Sequence, residues 1–537
     1  MELQSHDMLT IGRILAAPLL AQSDRTISCG DVSLSYPDFA RRVARLGGAL
    51  AALGLGQGSV VAVMDWDSNR YLEAFFAVPM AGATLHTINI RLSPEQILYT
   101  IEHAEDDAIL VHEDFLPLLS PLLPRISRPL RLILLTDRAD APLPEGFAGE
   151  YERLLAAASA DHAFPDLDER TRATLFYTTG TTGDPKGVFY SHRQLVLHTL
   201  GGAVGLGRVP GPGGLHLGDV YMPITPLFHV HGWGFPYVAT FLGLDQVYPG
   251  RYDPERLLDL IARHGVTFSH CVPTILAMLL SAAGAEAADL SRWKVLIGGS
   301  ALSEGLAQRA RDKGIDVNTA YGMSETCPIL TMADMAQGAD ADIAVRTSTG
   351  KPHPLVEVRV VDDEMRDVPR DGRSTGEVVV RAPWLTEGYL KAPEATAALW
   401  RGGWLHTGDV GSLSPDGTLR ITDRLKDVIK SGGEWVSSLA LENAVSTVPG
   451  VREVAAVGIP DPRWGERPVV VIAAENDAFD ATARAAMERV SQAVSDGTLP
   501  RWATPDRILR VDALPKTSVG KIDKKAIRAA IAEGEIT

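Results

Sequence analysis

The chain has 537 residues, of which 45% are hydrophobic and 22% charged, and its formal net charge is −16. This length exceeds what one hydrophobic core usually supports, so at least two domains are expected. The acidic balance argues against a nucleic-acid partner and against an anionic membrane surface, because either would require a basic face.

The cysteines and the N-terminus favour a cytoplasmic location. Cys29, Cys271 and Cys327 are far apart and form no CxxC pair, as is usual for proteins of a reducing compartment. The N-terminus lacks the basic segment and apolar stretch of a signal peptide. No apolar run approaches the roughly 18 residues of a membrane helix, so no membrane span is predicted.

The N-terminal half predicts helices that alternate with strands. Ser35 precedes an early proline and an acidic residue, and apolar residues then recur at helical spacing from Phe39 to Leu53, which predicts a capped helix. Buried strands are predicted at Val60–Met64 and at Lys294–Ile297. This alternation indicates parallel sheets covered by helices on both faces, and therefore an α/β fold.

The pattern changes after Lys351, where short alternating strands are separated by turn residues. This predicts a β-rich subdomain that completes a large N-terminal domain, residues 1–425. The tail combines a helix at Leu439–Val448 with strands such as Val454–Ile459 and predicts a small α+β domain over residues 426–537.

The segment Phe176–His192 contains a run of glycines, threonines and one lysine after an apolar stretch. Glycine-rich backbone can turn its N–H groups inward to form an anion-binding concavity, and hydroxyl and ammonium groups add donors for phosphate oxygens. The run lacks the Gly-x-x-x-x-Gly-Lys-Ser/Thr spacing of a Walker A loop. It therefore predicts a polyphosphate cradle of another kind, with the candidate residues Thr178, Thr179, Gly180, Thr181, Thr182, Gly183 and Lys186.

Four further motifs follow in order along the chain. They are YGMSET at Tyr321–Thr326, WLHTGD at Trp404–Asp409, DRLKDVIKSGGE at Asp423–Glu434 and LPKTSVGK at Leu514–Lys521. Together with the glycine-rich run, they resemble the ordered motifs of the adenylate-forming enzymes, which include acyl-CoA synthetases, peptide-synthetase adenylation domains and firefly-type luciferases. The segment Phe228–Trp233 favours the branch of fatty acyl-CoA synthetases and methylmercaptopropionate–CoA ligases.

The resemblance implies an ATP-dependent ligase that joins a carboxylic acid to AMP, releases pyrophosphate and then transfers the acyl group to coenzyme A. It implies ATP, Mg²⁺ and coenzyme A as partners of the reaction, and a C-terminal domain that is mobile. The implied substrate is a short- or medium-chain fatty or thioether acid, with an aryl acid as the alternative. A non-catalytic nucleotide-binding protein is the less favoured reading, and a homodimer is left open.

The resemblance also assigns roles to residues of the adenylation step. Lys521 is expected to contact the substrate carboxylate and the α-phosphate, where a cation lowers their repulsion. Glu325 is expected to bind Mg²⁺ with Thr178 as a second ligand, and Thr326 to hydrogen-bond the α-phosphate. The rest of the expected nucleotide site consists of Gly299, Ser300, Tyr321, Gly322, Asp409 and Arg424, of which the last two are expected at the ribose.

The second step is expected to use another surface of the C-terminal domain. Lys426 occupies the implied hinge position, around which this domain rotates after adenylation. The residues expected to contact coenzyme A or nucleotide are then Lys430, Gly432, Gly433 and Trp435.

The segment Pro226–Trp233 places two histidines and a tryptophan among apolar residues. The resemblance implies a helix of the acyl pocket, with His229 beside the reacting carboxylate and Trp233 one turn further as a gate. A buried core cluster is the alternative. Two histidines two residues apart, without other ligands nearby, make a poor zinc site. Gly298, Gly299 and Met323 complete the expected acyl site.

Overall fold

The computed structural model describes residues 8–138, 140–178, 184–209, 214–335, 342–432, 434–474, 479–518 and 520–536. The first elements in chain order are α1 (Gly12–Leu20), β1 (Thr26–Cys29), β2 (Val32–Ser35), α2 (Tyr36–Ala52), β3 (Val60–Met64), α3 (Asn69–Met80), β4 (Thr84–Thr87), α4 (Pro94–Ala104), β5 (Ala108–His112), α5 (Leu116–Leu119), β6 (Arg131–Leu135), β7 (Phe147–Glu150), α6 (Tyr151–Ala157), β8 (Arg172–Thr178), β9 (Lys186–Ser191) and α7 (His192–Gly207).

The next elements are β10 (Val220–Tyr221), the single turn α8 (Val230–Trp233), α9 (Phe235–Phe241), β11 (Asp245–Tyr248), α10 (Pro254–His264), β12 (Phe268–Cys271), α11 (Pro273–Leu280), β13 (Lys294–Ile297), α12 (Glu304–Asp312), β14 (Asp316–Gly322), β15 (Ile329–Met332), α13 (Ile343–Arg346) and β16 (Lys351–Pro352). The last are β17 (Glu357–Val361), β18 (Gly376–Arg381), α14 (Pro393–Leu399), β19 (Leu405–Leu413), β20 (Leu419–Arg424), β21 (Ile429–Ser431), β22 (Glu434–Val436), α15 (Ser438–Ser446), β23 (Glu453–Asp461), β24 (Gly465–Ala473), α16 (Phe479–Ser495), β25 (Arg507–Val511) and α17 (Lys524–Ala532).

Two sheets frame the N-terminal region. One has nine strands in the order β16-β15-β14-β13-β12-β10-β11-β1-β2, and the other has seven in the order β7-β6-β5-β3-β4-β8-β9. The central pairs of both sheets are parallel, and helices bury their apolar faces against the strands. The predicted α/β fold is confirmed, and so is the predicted helix start: Ser35 Oγ accepts the Asp38 N–H at 3.2 Å at the start of α2.

The C-terminal half contains two smaller sheets. Strands β17 to β20 form a four-stranded antiparallel sheet, which confirms the β-rich subdomain. A five-stranded sheet of order β22-β21-β24-β23, with β25 parallel to β24, packs with α15, α16 and α17. This is the expected α+β unit. A domain boundary between residues 425 and 426 stays a prediction, and it falls between β20 and β21.

The predicted helix of the acyl pocket is wrong. The segment after His229 forms one left-handed turn, in which φ rises from 49° at Val230 to 71° at Gly234. Left-handed backbone costs L-residues about 1–2 kcal/mol each, and a β-branched residue such as Val230 rarely adopts it. The surrounding structure therefore imposes this conformation.

Among the helices of the described ranges, none is long and apolar enough to cross a membrane.

Candidate active site

A cavity of about 30 Å³ lies at the carboxyl ends of β13 and β14. Ligand sites of open α/β sheets concentrate at this edge of the strands. Much of the predicted nucleotide and acyl site comes together here. The predicted residues that line the cavity are His229, Trp233, Gly298, Gly299, Tyr321, Gly322, Met323 and Lys521.

Lys521 reaches this cavity from the C-terminal sheet region. A Cβ atom at Gly299 would lie only 3.0 Å from Cε of Lys521, so the glycine, with φ of 75°, leaves room for the lysine side chain. Burial, and to a smaller extent the nearby Arg424, lower the pKa of Lys521 to about 8 against the opposing effect of Asp409 and Glu325. An anion that enters the cavity would stabilise the ammonium form.

Two side chains of the N-terminal region hold the lysine loop in place. Thr274 Oγ1 donates to the Gly520 carbonyl at 2.5 Å, and Asn89 Nδ2 donates to Ser518 Oγ at 3.1 Å. Within the loop, the Thr517 N–H donates to the Lys521 carbonyl at 2.7 Å. Lys521 therefore ends a tight loop that is anchored at two residues just before it.

The two histidines of the segment before Trp233 lie in different environments. His229 lines the cavity, and burial together with the charges of Lys521 and Arg91 lowers its pKa to about 3, so its imidazole is neutral. His231 is fully buried, and among the described residues neither of its ring nitrogens has a hydrogen-bond partner. The pocket interpretation thus fits His229, and the core interpretation fits His231.

Trp233 closes one side of the cavity. Its ring lies 5.2 Å from that of His270, centroid to centroid, and a Cβ at Gly298 would lie 3.1 Å from its Cη2 atom. The indole is 4% exposed. The left-handed turn, and not a helical repeat, brings Trp233 and His229 to the same cavity.

The expected ribose residues form a connected group. Strands β19 and β20 place Asp409 opposite Arg424, and Arg424 Nε lies 3.6 Å from Asp409 Oδ1. Tyr321 donates its hydroxyl to Asp409 Oδ2 at 2.6 Å. Burial raises the pKa of the Asp409 carboxyl, while Arg424 and the Tyr321 hydrogen bond lower it. The carboxylate is oriented by two partners before any ligand binds.

Glu325 and Lys186 are linked by a residue that the sequence did not single out, Tyr389. The Tyr389 hydroxyl donates to Glu325 Oε1 at 2.7 Å, and Lys186 Nζ lies 4.8 Å from the centroid of the Tyr389 ring. Burial raises the pKa of Glu325, and Lys521 and Lys186 lower it. A lone tyrosine after a glycine carries no recognisable signal in a single sequence.

The predicted phosphate loop joins β8 to β9. Thr178 ends β8 and pairs with Lys186 at the start of β9, while Thr179, Gly180, Thr181, Thr182 and Gly183 lie outside the described residues. The Thr326 hydroxyl is buried, accepts the Met323 N–H at 3.0 Å and bonds to the Pro328 carbonyl. Ser300 is exposed and does not line the cavity.

The residues expected to contact coenzyme A do not line the cavity. Lys426 and Lys430 are exposed, and Lys430 pairs with Trp435 across β21 and β22. Gly432 donates its N–H to the Trp464 carbonyl at 2.7 Å, and Gly433 is outside the part of the chain that the structure describes. Although Lys426 is exposed, partial desolvation of its ammonium group lowers its pKa, and the nearby Arg424 acts in the same direction.

Three exposed indoles surround this hairpin, two of which the sequence did not indicate. Trp435, Trp464 and Trp502 are 52%, 44% and 39% exposed. Arg467 joins the hairpin to the segment that carries Trp502. Its Nη1 donates to Ser431 Oγ at 3.1 Å and to the Trp502 carbonyl at 3.4 Å. A contiguous apolar surface can mark a site for a ligand or a partner.

A larger cleft, of about 490 Å³, opens at the other edge of the nine-stranded sheet. It lies at the amino ends of β12, β13 and β14, and its buried charges are paired. Lys294 Nζ lies 2.7 Å from Asp219 Oδ1, and Arg346 pairs with Asp316. The motifs of the sequence converge on the opposite edge, so the reaction site is assigned there.

Comparison with known proteins agrees with this geometry. The profile of the AMP-binding enzyme family matches residues 19–390, and that of the AMP-binding enzyme C-terminal domain matches residues 440–521. The chain belongs to this family, and within it to the AMP-forming acyl-CoA ligases.

Two curated relatives cover nearly the whole chain. A long-chain-fatty-acid–CoA ligase of Thermus thermophilus is 39% identical over 504 residues, which are 92% of this chain and 89% of that protein. A 3-methylmercaptopropionyl-CoA ligase of Ruegeria pomeroyi is 39% identical over 505 residues, 92% of this chain and 91% of that protein.

A solved structure shows the same fold over the full length. The anthranilate CoA ligase AuaEII, in complex with anthranoyl-AMP, superposes with a TM-score of 0.88 at 24% identity and covers 99% of this chain and 100% of that one.

Proposed function

We propose that this ligase activates a short- or medium-chain fatty or thioether acid as acyl-AMP and transfers the acyl group to coenzyme A, with Lys521 serving the first step. The observation that carries the proposal is the lysine side chain inside the cavity that also contains His229 and Tyr321. The arrangement matches the demands of adenylation, in which two anions must approach each other.

Lys521 would act by electrostatic stabilisation. The carboxylate and the α-phosphate repel each other, and negative charge grows on the phosphate oxygens as the carboxylate oxygen attacks phosphorus and pyrophosphate leaves. A buried ammonium group beside them weakens the repulsion and stabilises the growing negative charge. Its effect is stronger in a water-poor cavity than in solution. The neutral imidazole of His229 could orient the carboxylate without adding a competing charge.

The residues present fit a magnesium ion. Glu325 is buried beside the phosphate-loop strand, and Thr178 ends that strand, so one carboxylate and one hydroxyl offer the hard oxygen ligands that Mg²⁺ prefers. No group of three or more His, Cys, Asp or Glu that could hold a metal occurs within the described ranges. This composition suits an ion that keeps waters and binds substrate phosphates. When bound, Mg²⁺ would neutralise phosphate charge.

The ribose contact rests on Asp409. A carboxylate that accepts a hydrogen bond from Tyr321 and faces Arg424 is fixed in orientation, and a carboxylate can accept both hydroxyls of a ribose. The glycines at positions 298, 299 and 322 let Trp233, Lys521 and the Pro328 carbonyl approach this wall of the cavity closely.

The tryptophan surface around Trp435 supports the proposed coenzyme A contact. Adenine can stack on exposed indoles, and Lys430 and Arg463 add positive charge for phosphate groups beside them. Arg463 lies 4.8 Å from the Trp464 ring. Because this surface does not line the cavity, the thioester step requires the C-terminal region to turn, with Lys426 proposed as the hinge.

The acyl specificity is inferred from Trp233. The indole closes one side of the cavity, so a short acid requires the least rearrangement. Both curated relatives at 39% identity are named for acids with aliphatic chains. An aryl acid remains the second candidate because a benzoate–CoA ligase of Arabidopsis thaliana is 32% identical over 540 residues.

A panel of acids tests the proposal directly. AMP release should be measured with and without coenzyme A for propionate, butyrate, hexanoate, octanoate, laurate, 3-methylthiopropionate and benzoate. We expect CoA-dependent AMP release with the highest kcat/KM among the shorter aliphatic or thioether acids. A maximum for benzoate would support the aryl alternative, and the absence of AMP release for all of them would contradict the proposal.

A cytoplasmic location is part of the proposal. The structure shows Cys29, Cys271 and Cys327 as free thiols, which suits a reducing compartment. Fractionation of cells that produce the protein would test this.

A further inference from the structure

Two helices from the two regions of the chain meet next to the cavity. The helix α12 packs on β14 of the nine-stranded sheet, and α15 packs on β23 of the five-stranded sheet. The loop that begins with the cavity glycines, residues 298–303, leads directly into α12. The α12–α15 contact is therefore the place where the C-terminal region touches the element that follows the cavity wall.

A reciprocal pair of hydrogen bonds joins the two helices. The Glu304 N–H donates to Asn443 Oδ1 at 3.0 Å, and Asn443 Nδ2 donates to Glu304 Oε1 at 3.1 Å. The amide thus satisfies one of the free N–H groups in the first turn of α12, a group that has no partner within its own helix. Both bonds exist only in this relative position of the two helices.

Gly305 makes the close approach possible. A Cβ at this position would lie 2.4 Å from the carbonyl oxygen and 3.0 Å from the carbonyl carbon of Ser446. Both are backbone atoms, so no side-chain rotation could relieve the contact. The residue lies inside α12 and its φ is not positive, so α12 itself does not need a glycine there; alanine would favour the helix.

The same position of the C-terminal region carries the lysine loop into the cavity. The hydrogen bonds of Thr274 to Gly520 and of Asn89 to Ser518 form at a second contact between the two regions. A rotation of the C-terminal region would have to break both contacts. The helix contact therefore adds to the stability of the position in which Lys521 reaches the substrates.

We propose that Gly305 and the Glu304–Asn443 pair are positioning residues that select the adenylating arrangement of this ligase. They touch neither substrate nor cavity, and they act by holding α15 where Lys521 can enter. The inference rests on the proposed role of Lys521 in adenylation. In this proposal, an interhelical contact changes the ratio of the rates of the two half-reactions.

The sharpest test is Gly305→Ala, compared with Gly207→Ala as a matched control. Gly207 ends α7, and a Cβ there would meet no atom within 4 Å. Acyl-AMP formation without coenzyme A should fall about tenfold in Gly305→Ala, whereas thioester formation from supplied acyl-AMP is unchanged or faster. The melting temperature should not fall, because alanine strengthens α12. The control should alter neither half-reaction.

Asn443→Ala provides an independent variant that adds no atoms. Loss of two interhelical hydrogen bonds should again lower acyl-AMP formation selectively, by roughly five- to tenfold, while the exposed amide Gln492 of α16, changed to alanine, should have no effect. Unchanged half-reactions in both test variants would overturn the inference, and so would an equal loss of both half-reactions with a lower melting temperature. If Lys521→Ala retained adenylation, the proposed function would fail instead, whatever Gly305→Ala does.

Discussion

Lys521 and Trp435 belong to the same C-terminal region but lie in opposite environments. Lys521 lines the cavity, where burial lowers its pKa to about 8, whereas Trp435 is 52% exposed and does not line it. The lysine loop is anchored by Thr274 and Asn89, and the indole faces solvent.

The difference between these two surfaces shows that one arrangement of the chain presents only one of them to the substrates. A lysine between carboxylate and phosphate occupies the approach that a thiol would need. We therefore expect substitutions on the two surfaces to separate the half-reactions. The predictions below test that separation, and they are ordered by expected effect.

The largest effect is expected for Lys521→Ala. Removal of a preorganised charge at the transition state commonly costs about 10²–10³ in rate, so acyl-AMP formation should fall by at least that factor. Pyrophosphate exchange measures this step alone. Lys525→Ala, an exposed lysine four residues further along, is the control, and a similar loss in that variant would point to an effect of net charge.

Lys426→Pro should impair the other step. Proline fixes φ and so opposes a rotation of the backbone at this position; a barrier raised by about 3 kcal/mol would correspond to roughly a hundredfold in rate. Thioester formation from supplied acyl-AMP should slow by this order, while acyl-AMP still forms. Stopped-flow measurement of each half-reaction tests the hinge assignment. Equal slowing of both half-reactions would place the hinge elsewhere.

Asp409→Ala should weaken ATP binding. Hydrogen bonds to a charged group contribute about 1.5–3 kcal/mol, so the KM for ATP should rise by roughly 10- to 100-fold, and the KM for the acid should change little. Tyr321→Phe removes only the orienting hydrogen bond and should have a smaller effect in the same direction. A rise in the KM of the acid alone would contradict the ribose assignment.

Adenylation should lose efficiency at alkaline pH. The cationic form of Lys521 is the active one, and its pKa is lowered to about 8, so kcat/KM for acyl-AMP formation should be flat below about pH 8 and fall about tenfold per unit above it. Lys521→Arg should retain its charge throughout this range. A wild-type profile that stays flat to about pH 10 would show that the lysine has a higher pKa or that its charge is not required for adenylation.

The smallest effect is expected for Trp233→Ala. If the indole limits the acyl site, its removal should shift the preference towards longer acids, by about 0.8 kcal/mol or roughly fourfold for each methylene that gains or loses packing. Relative kcat/KM across aliphatic acids measures the shift. A lower melting temperature with an unchanged ranking would assign Trp233 to the core alone.

Local signals predicted much of the fold. The strand Lys294–Ile297 has the predicted bounds, and Ser35 caps α2 as its hydrogen-bonding chemistry requires. The segment after His229 was predicted wrongly because its left-handed backbone is favoured by none of its non-glycine residues. Only packing with distant residues stabilises such a turn, and packing cannot be deduced from a local pattern.

The candidate site was likewise predicted only in part from the sequence. Lys521, Asp409 and Tyr321 lie in recognisable motifs, and the structure brings them together. Tyr389 and Trp464 escaped notice because their importance arises from contacts with residues far along the chain, such as Glu325 and Gly432. An isolated aromatic residue gives no local indication of such a contact.

The two half-reactions measured in parallel for Lys521→Ala and Trp435→Ala test the central claim most directly. Acyl-AMP formation is followed without coenzyme A, and acyl transfer is followed from supplied acyl-AMP. The account predicts that Lys521→Ala loses the first and keeps the second, whereas Trp435→Ala keeps the first and loses affinity for coenzyme A in the second. Loss of the same half-reaction in both variants would contradict it.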